Sequence, residues 1–107
     1  MVTVTRYEVV LINLDPSIGS EYQKTRPCVV VSPDDMNRSL HTVIIAPLTS
    51  KRRGWAFRPL VTGPSSQSEV ALDQIRTVDK SRIIKSLGHL SPQDQSAVYS
   101  ILKELFL

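Results

Sequence analysis

With 107 residues, the chain is long enough to bury one modest core and is expected to form a single domain over residues 1–107; 41% hydrophobic and 21% charged residues suit a soluble globular protein. A formal charge of +3 is a mild basic bias, compatible with an anionic partner without requiring one. One cysteine excludes an internal disulfide, two well-separated histidines (His41, His89) do not suggest a zinc site, and no apolar run approaches the roughly 20 residues that span a bilayer.

Glu8 interrupts the only early apolar stretch, so no signal-peptide pattern is seen and a cytoplasmic location without membrane association is expected. Residues 7–14 are rich in branched and aliphatic side chains and end at Asp15-Pro16, which reads as a strand followed by a turn. A polar loop carrying Ser20 and Glu21 comes next. Arg26-Pro27 then opens a second, central strand over residues 27–31, stopped by Ser32-Pro33-Asp34-Asp35. Cys28 lies inside that apolar run and reads as a small buried hydrophobe.

Residues 42–48 form a third strand, followed by a polar loop through Trp55. Shorter strands are expected over residues 57–62 and 69–72, around the loop Gly63-Pro64-Ser65-Ser66, and one more over residues 82–87. The end of the chain changes character. Ser91-Pro92-Gln93-Asp94 supplies a cap, a proline for the first helical position and an early acid; Val98, Ile101, Leu102 and Leu105 then recur at helical spacing. The expected fold is mainly β with α: a small, mostly antiparallel, SH3-like barrel with a C-terminal helix laid on the sheet.

Three polar segments follow strand ends: residues 17–26, 47–55 and 72–79. In a barrel this small they are expected to converge on one edge. Proline after Arg26 holds the backbone extended and fixes where the guanidinium points. A planar cation with five donors suits a phosphate, although an ion pair to Glu21 or Asp73 is an equal alternative. Thr49 heads the basic loop and offers a hydroxyl to the same phosphate, or simply ends a strand. Lys51, Arg52 and Arg53 beside Trp55 combine cations with a stacking surface, as single-stranded nucleic-acid sites do, though Trp55 equally suits covering an apolar edge. Glu21 and Asp73 are candidate bases or acceptors that orient Arg26 or Gln74. Asp79, before Lys80-Ser81-Arg82, reads as a cap.

Four blocks in register carry a resemblance over nearly the whole chain: Leu14-Asp15-Pro16, Gly19-Ser20-Glu21 with Arg26-Pro27, Ala46-Pro47-Leu48-Thr49-Ser50, and Asp73-Gln74-Ile75-Arg76-Thr77-Val78-Asp79. Together they resemble the MazF/PemK-like toxins of bacterial toxin–antitoxin systems. The resemblance implies a ribosome- and metal-independent endoribonuclease that cuts single-stranded RNA at short motifs without a cofactor. It also implies a homodimer, neutralised by a cognate antitoxin whose acidic C-terminal tail occupies the RNA groove. Matched by position, Arg26 and Thr49 are the catalytic pair and Glu21 an active-site carboxylate. Asp73 and Gln74 fall in the family's third block, lining the RNA channel, and with Ser20, Lys51, Arg52, Arg53, Trp55 and Arg76 they are the residues expected to bind RNA. Some members of the PemK branch carry a histidine in the first loop and an arginine two residues before the aspartate. Ser20 and Ala71 stand there instead, which disfavours Asp73 as base. The alternatives are a non-enzymatic toxin of the CcdB-like, gyrase-inhibiting kind, or a passive RNA- or protein-binding module. The ending Glu104-Leu105-Phe106-Leu107 lacks the Trp-Gly-Ile on which CcdB-like proteins depend.

Overall fold

The computed structural model describes residues 3–64 and 66–107; Ser65, within the expected loop at 63–66, lies outside the described residues. Among the described residues seven strands occur in chain order: β1 (Glu8–Asn13), β2 (Thr25–Val30), β3 (Thr42–Thr49), β4 (Leu60–Val61), β5 (Ser68–Val70), β6 (Arg76–Asp79) and β7 (Ile83–His89). Helix α1 (Asp34–Ser39) lies between β2 and β3, and α2 (Pro92–Phe106) follows β7. The strands pair in the order β4-β5-β3-β2-β1-β7, with β6 also on β3, and every pairing is antiparallel.

β3 organises the sheet. One of its edges meets β2, while its first half takes β6 and its last two residues take β5. Two register shifts between β1 and β7 add bends of the kind that curl a sheet. The result is the expected mainly antiparallel, half-closed barrel with a C-terminal helix.

Because side chains alternate across a strand, the apolar runs of β1 to β3 feed two cores. Val9, Val29, Val31, Ala46 and Leu48 pack on one face with Leu90 and Val98. Val10, Ile12, Cys28, Val30, Val43 and Ile45 pack on the other with Val4, Leu14 and Val78. The Ser91 hydroxyl caps α2 by accepting from the Asp94 amide at 3.2 Å, with Pro92 in the first turn. Asp94 is itself buried and accepts from the Thr62 amide and hydroxyl, tying the helix to the end of β4. The helical stripe fades along its length: Val98 is sealed, Ile101 and Leu102 are half-buried, and Leu105 is exposed.

Two elements differ from the sequence expectation by addition. The stop signal Ser32-Pro33-Asp34-Asp35 starts α1, whose first-turn acids suit a helix N-terminus and whose Asn37 is buried against Ser32. The polar segment after Leu72 contains a short turn and then β6, in which only Val78 is buried. One expected strand is shorter. Residues 57–62 contribute only Leu60–Val61 to the sheet, because a turn from Trp55 to Arg58 and the donor-less Pro59 precede them.

Candidate active site

The loop between β1 and β2 is fixed by its own polar groups. The Ser17 hydroxyl donates to the carbonyls of Leu14 (2.9 Å) and Tyr22 (2.8 Å), the alternatives open to one rotating proton. Asp15 accepts from the Lys24 amide at 2.9 Å, and Glu21 accepts from the Ile18 amide at 2.8 Å. Gln74 reaches across from the third polar segment to accept from the Tyr22 amide at 3.3 Å. Ser20 lies exposed in the loop.

Arg26 pairs with Ile12 across the β1–β2 ladder. Continuing the β2–β3 register two residues beyond Cys28–Pro47 brings Arg26 level with Thr49, where the strands part. Its guanidinium lies over the Tyr22 ring, 4.5 Å from the centroid. Among the described residues no carboxylate forms an ion pair with it. The alternative of a bridge to Glu21 or Asp73 is therefore not what the structure contains.

Asp73 is engaged elsewhere. Arg58 Nε donates to Asp73 Oδ1 and Nη2 to Oδ2, both at 2.8 Å, while Nη1 donates to the Tyr22 hydroxyl oxygen, also at 2.8 Å. The Arg58 guanidinium also lies 4.8 Å from the centroid of the Trp55 ring. These hydrogen bonds hold the Asp73 carboxyl below its usual range against the opposing effect of burial, and they raise Arg58 further. A carboxylate with both oxygens taken by a buried arginine is a poor proton acceptor. As a candidate base, Asp73 is corrected to an anchor for Arg58.

The basic loop is held from beneath. Glu69 is buried in β5 opposite Thr49 and accepts from the amides of Gly54 (3.0 Å) and Arg53 (3.1 Å), which pull its carboxyl below the ordinary range. Gly54 sits at φ +72, where a side chain would be strained. Thr49 is buried, and its hydroxyl oxygen accepts from the Lys51 amide at 3.1 Å. Arg53 lies over Trp55, which stacks on Phe57 with centroids 5.3 Å apart, and Arg52 meets Gln67. Lys51 is exposed. Arg76 donates to the Leu14 carbonyl at 3.2 Å.

Two clefts flank this arrangement. One of about 220 Å³ is lined by Glu21, Tyr22, Pro47, Asp73, Gln74, Ile75 and Arg76. The other, about 370 Å³, is lined by Arg26 and its neighbours from Gln23 to Pro27, with Leu48, Ser50, Ser66 and Ser68. Glu21 lines the first and Arg26 the second, and Tyr22, which lines the first, carries Arg26 on its ring. The three polar segments do converge, but on Arg58, which the sequence reading did not single out. Its signal was a charge inside the run Trp55-Ala56-Phe57-Arg58-Pro59, and that of Tyr22 was an aromatic ring beside Glu21 and close to Arg26 in sequence. Among the described residues no group of three or more His, Cys, Asp or Glu is placed to hold a metal, and no helix is long and apolar enough to cross a membrane. Asp79 is a cap, accepting from the Ser81 amide at 2.8 Å. Cys28 is sealed in the core, and burial pushes its thiol up to about 12.

Comparison with known proteins gives a consistent result. The family model for the PemK-like, MazF-like toxin of type II toxin–antitoxin systems matches residues 5–106. The chain is 31% identical over 106 residues to Endoribonuclease EndoA of Bacillus subtilis, covering 94% of this chain and 91% of that one. The crystal structure of MazF from Deinococcus radiodurans superposes with a TM-score of 0.86 at 24% identity, over 98% of this chain and 97% of that one. A MazE–MazF crystal structure from the same organism gives a TM-score of 0.77 at 26% identity, over 97% and 96% of the two chains.

Proposed function

The chain belongs to the PemK-like, MazF-like toxin family of type II toxin–antitoxin systems, and from that premise we propose that it is an endoribonuclease toxin cleaving single-stranded RNA at a short sequence motif. The observation that carries the reading is Arg26: a guanidinium held by a strand and an aromatic face, with no carboxylate among the described residues paired to it. Arginine keeps its proton at any working pH, so its role is electrostatic.

In the reaction we infer, the substrate's own 2′-oxygen attacks the adjacent phosphorus and passes its proton to Glu21. The bond from phosphorus to the 5′-oxygen breaks, and that oxygen leaves and takes up a proton from water. The products are a 2′,3′-cyclic phosphate and a 5′-hydroxyl. Arg26 and the Thr49 hydroxyl stabilise the negative charge that grows on the phosphorane oxygens. A preorganised donor of this kind is worth about 10²–10³ in kcat. Ser20, Lys51, Arg52, Arg53, Trp55, Gln74 and Arg76 line the RNA path. Asp73 serves that path indirectly, through Arg58. The functional unit is one domain over residues 1–107, acting in the cytoplasm as a homodimer without metal or ribosome. A cognate antitoxin neutralises it by laying an acidic tail across the same cations.

The test is incubation of the purified protein with a defined single-stranded RNA in EDTA, followed by mapping of the ends. Cleavage leaving a cyclic phosphate is expected. An otherwise identical strand with deoxyribose at the cleaved position should bind and stay intact. RNA that shifts in a gel without shortening would overturn the reading in favour of a passive binding module.

A further inference from the structure

Tyr22 and Arg58 touch no substrate in the reaction above, yet they connect the buried interior to the guanidinium that lines the second cleft. Arg58 is locked at one end by a two-pronged ion pair with Asp73, and its remaining nitrogen donates to the Tyr22 hydroxyl oxygen. Tyr22 is thereby held at both ends, its amide bonded to Gln74 and its hydroxyl to Arg58. Arg26 rests on the Tyr22 ring at 4.5 Å, while Arg58 is 5.6 Å from the same ring. A guanidinium over an aromatic ring is attracted through its flat face, which leaves the in-plane N–H donors at its edge directed outward.

We infer that Asp73, Arg58 and Tyr22 form a positioning relay that presets the plane of the Arg26 guanidinium for an incoming phosphate. Asp73 orients Arg58, Arg58 anchors the Tyr22 hydroxyl, and the Tyr22 ring fixes the plane of Arg26. Tyr22 and Arg58 are positioning residues, and the relay rests on Arg26 being the group that meets the phosphate. It predicts a larger cost in catalysis than in binding: Arg58 and Tyr22 touch Trp55 and Gln74 of the RNA path, but the amides of the basic loop are held separately by Glu69.

The experiment compares Tyr22→Leu, Tyr22→Phe and Arg58→Lys under single-turnover conditions, each in the native and the Arg26→Ala background. Tyr22→Leu should lower the cleavage rate roughly 10- to 100-fold, the loss that misplacing a catalytic group by about an ångström produces, with RNA affinity within about threefold. In the Arg26→Ala background the same substitution should have less than about a threefold effect, because there is no guanidinium left to orient. Tyr22→Phe keeps the ring and loses the anchor, and Arg58→Lys keeps the charge and loses the fork; both should fall between wild type and Tyr22→Leu. Equal losses in the two backgrounds would make Tyr22 merely structural and overturn the relay. So would an unchanged rate in Tyr22→Leu.

A second readout does not depend on cleavage. The Arg26 side-chain Nε–H resonance should be shifted upfield by the Tyr22 ring current in wild type and in Tyr22→Phe, and return to the unshifted range in Tyr22→Leu. An unshifted wild-type resonance would overturn the relay. A wild-type protein that cuts no RNA but shows the shift would instead refute the proposed function and leave the relay standing.

Discussion

Replacing Asp73 with asparagine isolates the buried ion pair while nearly preserving shape. Removing one partner from a fully buried pair costs about 3–5 kcal/mol, because the remaining charge is stranded. Arg58 is buried here, with 7% of its side chain accessible, but Asp73 is 31% accessible. Arg58 also retains the Tyr22 hydroxyl and the Trp55 face in the variant. The expected loss therefore falls below that range, at about 2 kcal/mol. An unfolding entropy near 2.1 cal/mol/K per residue over 107 residues gives about 0.22 kcal/mol/K, so Tm should fall by about 9 °C at pH 7. The sign with pH follows from the direction of the shift. Hydrogen bonds from Arg58 depress the folded-state value of Asp73, so its contribution is fully present above the unfolded carboxyl value near 4 and is lost as pH falls through the lower folded value. Asparagine mimics the protonated acid at every pH. Thermal melts followed by circular dichroism should show a wild-type-to-variant gap that is constant from about pH 5 to 8 and closes toward pH 2. A gap below about 2 °C at pH 7, or one that persists unchanged in acid, would refute the reasoning.

Arg26→Met should leave Tm within about 4 °C of wild type, because no ion pair is lost and a thioether can keep contact with the Tyr22 ring, while RNA cleavage falls by about two orders of magnitude or more. A drop of 10 °C in calorimetry would make Arg26 a structural residue. Glu69→Gln should raise amide hydrogen exchange at Arg53 and Gly54 at least about tenfold, since the charged acceptor of both N–H groups is gone, with little change in β1 to β3. In wild type that protection should persist in mild acid, to below the ordinary glutamate range. Cys28, with its thiol pushed up to about 12 by burial, should resist iodoacetamide at pH 8 in the native protein and react once urea unfolds it; rapid native labelling would contradict its place in the core.

What could be read from the sequence was whatever a period reveals. β1 to β3 appeared as apolar runs because they bury both faces, and α2 announced itself through Ser91, Pro92 and the spacing of Val98, Ile101 and Leu102. α1 and β6 were invisible for the opposite reason. α1 is six residues, all polar but Met36 and all exposed but Asn37, and β6 is a polar edge with one buried valine. Arg26, Thr49 and Glu21 were visible as candidates because they stand at strand and loop boundaries. Tyr22 and Arg58 were not, since their significance lies in a contact between positions 36 residues apart that no spacing rule encodes.

The same network explains why Arg26 is left without a counter-ion on a protein that has carboxylates nearby. Two guanidiniums flank one tyrosine ring, and among the described residues only one carboxylate is bonded to either of them. Arg58 is buried and Arg26 is partly exposed. An unpaired cation costs far more in the interior than at a half-wet rim, so the lower-energy assignment gives Asp73 to Arg58. Moving Asp73 toward Arg26 would strand Arg58 and forfeit its two hydrogen bonds to Asp73 at 2.8 Å for one partly screened pair. The other candidates are committed as well: Glu69 to the amides of Arg53 and Gly54, and Glu21 to the amide of Ile18. Asp73, Glu69 and Glu21 thus each hold a partner other than Arg26, and the anion that completes its coordination has to come from outside the chain.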